Sequence, residues 1–162
     1  LPSQKIKIEI AHVPSYTCDL RILQENYPEI EGINSQPIAR CQSLDEILAD
    51  KIVSFSQQTL APRYRDIWDI PWIASQPKRD MSSVAGMVSR KLVDYRAQGS
   101  EKDILGSGLS RAVELLEGDV FAGEMKRFLP ERILSRTVER PEYREAMAHK
   151  IEDVFEFVAD RF

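Results

Sequence analysis

Ser43-Leu44-Asp45-Glu46-Ile47-Leu48-Ala49-Asp50-Lys51-Ile52-Val53-Ser54-Phe55-Ser56-Gln57 is the stretch where the chain turns helical in character. Ser43 followed three residues later by Glu46 is a capping-box pattern, in which each side chain can satisfy a backbone N–H at the helix start. Leu44, Ile47, Leu48, Ile52 and Phe55 then recur at spacings of three and four, the stripe of an amphipathic helix. The helix is predicted to run to about Gln58 and to stop near Pro62. Lys51 falls within that stripe, seven residues after Leu44, while Asp45, Glu46, Asp50 and Gln57 are expected to lie away from it. An ammonium on an inward face is costly unless it meets an anion. Two readings stay open. Lys51 snorkels to solvent or pairs with a structural carboxylate, or it enters a cleft and meets the phosphate of a nucleotide.

Downstream the pattern stays helical. A second helix is predicted from about Arg63, disturbed by Pro71, and further helices at about 81–97, 101–116, 119–128 and 141–161, punctuated by Gly99, Gly118 and Pro141. Met81, Val84, Met87, Val88, Leu92 and Tyr95 read as core, as do Ile104, Leu105, Leu109, Val113 and Leu116. Met147, Ile151, Val154, Phe155 and Val158 form the stripe of the last helix. In Arg63-Tyr64-Arg65-Asp66-Ile67-Trp68-Asp69, Asp66 and Asp69 project from one side of a helix, and Arg65 can reach Asp69 four residues on. Such a cluster could orient Lys51 or assist a metal-bound phosphate; it could equally be a salt-bridge network closing a helix joint. Arg132, Arg136, Arg140 and Arg144 repeat every four residues, either a basic ridge for RNA or a solvated face balanced by Glu131, Glu139, Glu142 and Glu145.

Upstream, Lys5-Ile6-Lys7-Ile8-Glu9-Ile10 alternates polar and apolar residues, the period of a strand, with Glu9 on the polar face. Residues 37–42 suggest a second short strand, and residues 20–26 a short helix in a turn-rich stretch. So few strands make an incomplete sheet, and the chain begins at Leu1 and not at methionine. Both point to a processed or truncated chain whose front end lies upstream. The expected fold is α+β, predominantly α. Residues 1–76 would be the end of a strand-containing domain and residues 77–162 a helical bundle.

Bulk properties narrow the function classes. A chain of 162 residues can bury a real core without staples. A formal net charge of −4 gives no global basic field, so any RNA or nucleotide contact must come from a local patch, and DNA binding is not expected. Cys18 and Cys41 make no disulfide scaffold, and with only His12 and His149 a zinc site is not expected. No apolar run approaches the ~20 residues of a membrane span, and no signal peptide is visible, so a cytoplasmic location is expected.

The pair of segments Ser43–Lys51 and Arg63–Ile70 resembles the signature of AbiEii-type nucleotidyltransferase toxins, in which a Leu-x-Glu-Ile-Leu-Ala-x-Lys helix precedes an Arg-Asp-x-x-Asp helix. The strand at 5–10 is similar to the family's strand just upstream, which carries an acidic residue. The resemblance implies a nucleotidyltransferase-fold sheet, here a remnant, joined to a helical bundle. It also implies an enzyme that uses an NTP with Mg²⁺ and belongs to an abortive-infection or type IV toxin–antitoxin system. A tRNA end is the expected acceptor, with another RNA or a protein as alternatives, and an antitoxin is the expected partner. Carried over, Lys51 binds nucleotide phosphates, Asp66 is the catalytic aspartate of the last motif, and Glu9 matches a metal-holding strand carboxylate. Arg65 and Asp69 support that motif. The family's opening motifs, a Gly-Gly or Gly-Ser phosphate turn and a strand Asp-x-Asp, are not found, so the 162 residues alone are expected to bind no Mg²⁺–NTP productively and to be inactive. The competing class is a non-catalytic helical module that binds RNA or an antitoxin, with Lys51 and Asp66 as a structural pair.

Overall fold

Ser43 does cap the central helix. Its Oγ accepts from the Glu46 N–H at 3.1 Å, and α1 then runs over Leu44–Gln57. The computed structural model describes residues 12–22, 37–58 and 61–162, and the expected strand at 5–10, with Glu9, lies outside them. Six further helices follow among the described residues: α2 (Tyr64–Ala74), α3 (Met81–Asp94), α4 (Glu101–Glu117), α5 (Asp119–Met125), α6 (Glu131–Leu134) and α7 (Pro141–Ala159). The boundaries follow local chemistry. Asp80 accepts from Ser82 and Ser83 to open α3, and Ser100 from Asp103 to open α4. Pro141 stands in the first turn of α7, where its missing N–H costs nothing. Pro71 sits inside α2, which ends one turn later. The single turn α6 was too short to carry a periodic signal.

The fold is α+β and predominantly α, with one small antiparallel sheet. Strand β1 (Asp19–Ile22) pairs with β2 (Ile38–Cys41), with Asp19 opposite Cys41 and Ile22 opposite Ile38. The strand expected at 37–42 is therefore present. Of the helix expected over 20–26, Leu20–Ile22 are instead extended, because their backbone groups are taken up by the ladder with β2, and residues 23–26 lie outside the described residues.

The helix α1 packs against α2, α3 and α4, and α7 closes the bundle against α2, α3 and α4. One buried cluster draws on all of these, with Leu48, Ile52, Phe55, Ile67, Val88, Leu105, Ile151 and Phe155 nearly inaccessible. Each such side chain contributes about 1.5–3 kcal/mol by leaving water. The core residues expected on the last helix are all buried. On α1 the single-stripe reading needs correction. Leu44 is 37% exposed, whereas Ala49, Val53, Ser56 and Glu46 are buried. A helix covered by three neighbours buries more than one stripe, and Glu46 lies on the second flank, toward α3.

Two contacts show how tightly α1 is held. A Cβ at Gly108 of α4 would come within 2.4 Å of Ser56 Oγ, so glycine permits the close crossing there. Arg111 of α4 donates to the carbonyls of Phe55, Ser56 and Gln58, satisfying the C-terminal end of α1, which has no basic residue in its own last turn. Among the described residues no helix is long and apolar enough to cross a membrane.

Candidate functional site

Lys51 lies on the flank of α1 that faces α2, at the edge of the core rather than within it, with 22% of its side chain exposed. The first turns of α2 present Asp66 and Asp69 toward it, as their spacing of three requires. Lys51 Nζ stands 2.8 Å from Asp66 Oδ1 and 2.7 Å from Asp69 Oδ2. Behind the carboxylates, Arg63 Nε lies 3.2 Å from Asp66 Oδ2 and Arg65 Nε 3.5 Å from Asp69 Oδ2. The Arg63 contact is an ion pair without hydrogen-bond alignment, since Asp66 Oδ2 accepts no hydrogen bond. The structure thus brings together Lys51, Arg65, Asp66 and Asp69, and adds Arg63.

This cluster opens on a cleft of about 440 Å³ lined by Lys51, Arg63, Arg65, Asp66, Arg127 and Phe128, among others. Three cations face two carboxylates in the ion-pair cluster, leaving an excess positive charge at the mouth. A lysine fixed by two aspartates and still reached by solvent can offer a localised charge to phosphate oxygens, with arginines beside it for broader contact. Sequence reading did not find Phe128 or Arg127. The short segment Lys126-Arg127-Phe128 places basic residues beside an aromatic one, but nothing in its spacing links it to Lys51.

A second lysine, not singled out by the sequence pattern, is held more completely. Lys91 of α3 is fully buried. Its Nζ donates to Glu46 Oε1 at 2.8 Å, Asp50 Oδ2 at 2.9 Å and the Pro14 carbonyl at 3.2 Å, which uses all three protons. Glu46 also accepts from the backbone N–H of Tyr16 at 2.8 Å and of Thr17 at 2.7 Å, and from the Thr17 hydroxyl. Ser43 N–H in turn donates to Thr17 Oγ1 at 2.8 Å, so Glu46 does not close the reciprocal half of the capping box. Burial pushes the Glu46 carboxyl up, but hydrogen bonds from Lys91, Thr17 and the Tyr16 and Thr17 backbone prevail and hold it at about 2. For Lys91, burial pushes the ammonium down, and Glu46 and Asp50 together move it above 10.5. A signal for it does exist in the sequence. Lys91 follows Val84 by seven residues and Val88 by three, the same placement that singled out Lys51.

The carboxylates of the open cluster are already matched by cations, and among the described residues no three Asp, Glu, His or Cys side chains converge to hold a metal ion. The described residues therefore do not fit Mg²⁺ on their own. They fit a phosphate better than the ion that would accompany it.

Comparison with known proteins agrees with the helix pair. No curated protein and no solved structure matches the chain. A family model described as "Nucleotidyl transferase AbiEii toxin, Type IV TA system" matches residues 1–160. The motif of Lys51 on one helix and Asp66 and Asp69 on the next, the resemblance it carries, and a match over nearly the entire length agree: this chain belongs to the AbiEii nucleotidyl transferase toxin family.

Proposed function

We propose that the protein transfers a nucleotide from Mg²⁺–NTP to an RNA end, with a tRNA as the favoured acceptor and another RNA or a protein as alternatives, and that an antitoxin restrains it. The observation carrying this reading is Lys51, aligned by Asp66 and Asp69 and facing a cleft with excess positive charge. Nucleotidyl transfer forms one P–O bond to an acceptor hydroxyl and breaks the α–β phosphate bond, releasing pyrophosphate. The charge to be stabilised lies on the phosphates, so positioning and electrostatics dominate. In this scheme Lys51 binds phosphate oxygens and Asp66 fixes the lysine within the last motif of the site. Arg65 and Asp69 hold that motif in place. Glu9 is proposed as a metal ligand on the family resemblance alone.

The 162 residues contain no Asp-x-Asp, and the described residues assemble no metal cluster. We therefore propose that this stretch of chain is inactive by itself; Mg²⁺-dependent labelling of RNA by the purified 162 residues with α-³²P NTP would overturn that. For the function, the protein is expressed from its native gene as wild type and Lys51→Ala, and toxicity and RNA labelling are scored beside thermal unfolding. Loss of both activities in a folded variant supports the phosphate-binding role. Full toxicity in a folded variant would end it. The two carboxylates on Lys51 also suit the competing reading, a non-catalytic binding module, in which Lys51→Ala costs stability and no activity.

A further inference from the structure

We infer that Phe128, flanked by Arg65 and Arg127, is a stacking platform for a nucleobase whose phosphate enters the Lys51 cleft. The inference deepens the proposed function and rests on its reading of that cleft. Phe128 follows α5 and is 49% exposed, a large apolar ring left on the surface at the rim of a charged cleft. Two cations attend the ring. The guanidinium of Arg65 lies 5.9 Å from the ring centroid and that of Arg127 5.8 Å. Both arginine side chains are mostly solvent-exposed, at 66% and 70%, and each is tethered by one carboxylate, Asp69 and Glu124. A half-exposed ring beside two loosely tethered cations is the chemistry that holds unpaired nucleotides, the base stacked on the aromatic and the phosphates met by arginine. A protein of net charge −4 has no global field to attract nucleic acid, so such a local patch is where contact must be made.

The ligand class is a nucleobase with an adjacent phosphate. It could be the base of the incoming NTP or the single-stranded end of the acceptor RNA, and two probes separate them. The protein expressed from its native gene, as wild type, Phe128→Ala, Phe128→Leu and Phe128→Trp, is titrated with a fluorescein-labelled single-stranded adenosine decamer by anisotropy, and with Mg²⁺–ATP by calorimetry. Loss of the ring should weaken one probe about tenfold or more, while Phe128→Trp retains binding and its emission is quenched on saturation. Weakening of the decamer alone assigns the platform to the acceptor strand. Weakening of ATP alone assigns it to the donor base. Substituting Arg65 and Arg127 with Gln should lower the salt slope of decamer binding by roughly 0.7 for each phosphate that an arginine no longer neutralises. Unchanged affinity of Phe128→Ala and Phe128→Leu for both probes overturns the inference, as does failure of the wild type to bind either. The two proposals fail separately. A fully toxic Lys51→Ala protein beside a binding-deficient Phe128→Ala one removes the phosphate role and leaves the platform, and the reverse pattern does the opposite.

Discussion

Lys51 and Lys91 use the same materials in opposite ways. Each projects from an apolar stripe and meets two carboxylates, Asp66 and Asp69 for Lys51, Glu46 and Asp50 for Lys91. Lys91 is sealed from solvent and spends its third proton on the Pro14 carbonyl. Its carboxylate partner Glu46 is filled by backbone N–H groups from the segment that leads into β1. Lys91 and Glu46 are both enclosed, and every proton of the Lys91 ammonium is used within the protein, which makes the cluster a clamp between α1, α3 and the segment before the sheet. Lys51 stays 22% exposed, beside a cleft and in a cluster with one cation in excess. Burial beside two carboxylates marks either kind of lysine. What separates a structural clamp from a ligand site is whether a donor still faces a space that something else can enter.

The comparison breaks most sharply at Lys91. Lys91→Met leaves Glu46 buried without its counter-charge and is expected to cost about 3–5 kcal/mol, read from urea unfolding; a loss below about 1 kcal/mol would mean that the cluster is not a clamp. Acid sharpens the same point. The Glu46 carboxyl sits at about 2 against an ordinary 4.5, so its contribution is present above pH 4.5 and fades as the pH falls toward 2. That difference corresponds to roughly 3 kcal/mol. Wild type should therefore lose about that much more than Glu46→Gln over the acid limb, and parallel pH profiles would contradict it. Lys91 contributes with the opposite sign: its raised value makes its stabilisation full below pH 10.5 and lost as the pH climbs beyond it.

A steric change on α4, against α1, that touches neither lysine sets the scale. Gly108→Ala forces a methyl group against Ser56 and is expected to cost about 1–3 kcal/mol, part of it recovered by adding Ser56→Ala. Equal unfolding midpoints for wild type and Gly108→Ala would show that the two helices separate easily. The smallest effect on stability is expected at Lys51. Lys51→Ala leaves Asp66 and Asp69 with Arg63 and Arg65, in a partly solvated cluster, and should shift stability by about 1 kcal/mol or less. Its toxicity, by the proposed function, should vanish. A large stability loss with toxicity intact would make Lys51 a second Lys91.

Much of this was legible in the sequence because it depends on local order. Ser43, Asp80, Ser100 and Pro141 mark helix starts through groups within one turn, and the stripes of α1 and α7 follow from 3.6 residues per turn. The pairing of Lys51 with Asp66 and Asp69 was also within reach, since two consecutive helices with a short link bring facing stripes together. Other features depend on which elements become neighbours, and no periodicity records that. Glu46 looked solvent-facing because its flank of α1 is covered only when α3 docks there. Leu20–Ile22 became a strand because Ile38–Cys41 offered a ladder. Arg111 finishes α1 from another helix, and Phe128 reaches the Lys51 cleft through the packing of α5 on α2. The sequence by itself determined the longer helices, their caps and the family motif, because their causes lie within a turn or two of chain. The tertiary structure alone decided which lysine is enclosed and which stays open, because enclosure depends on the distant segments that cover it.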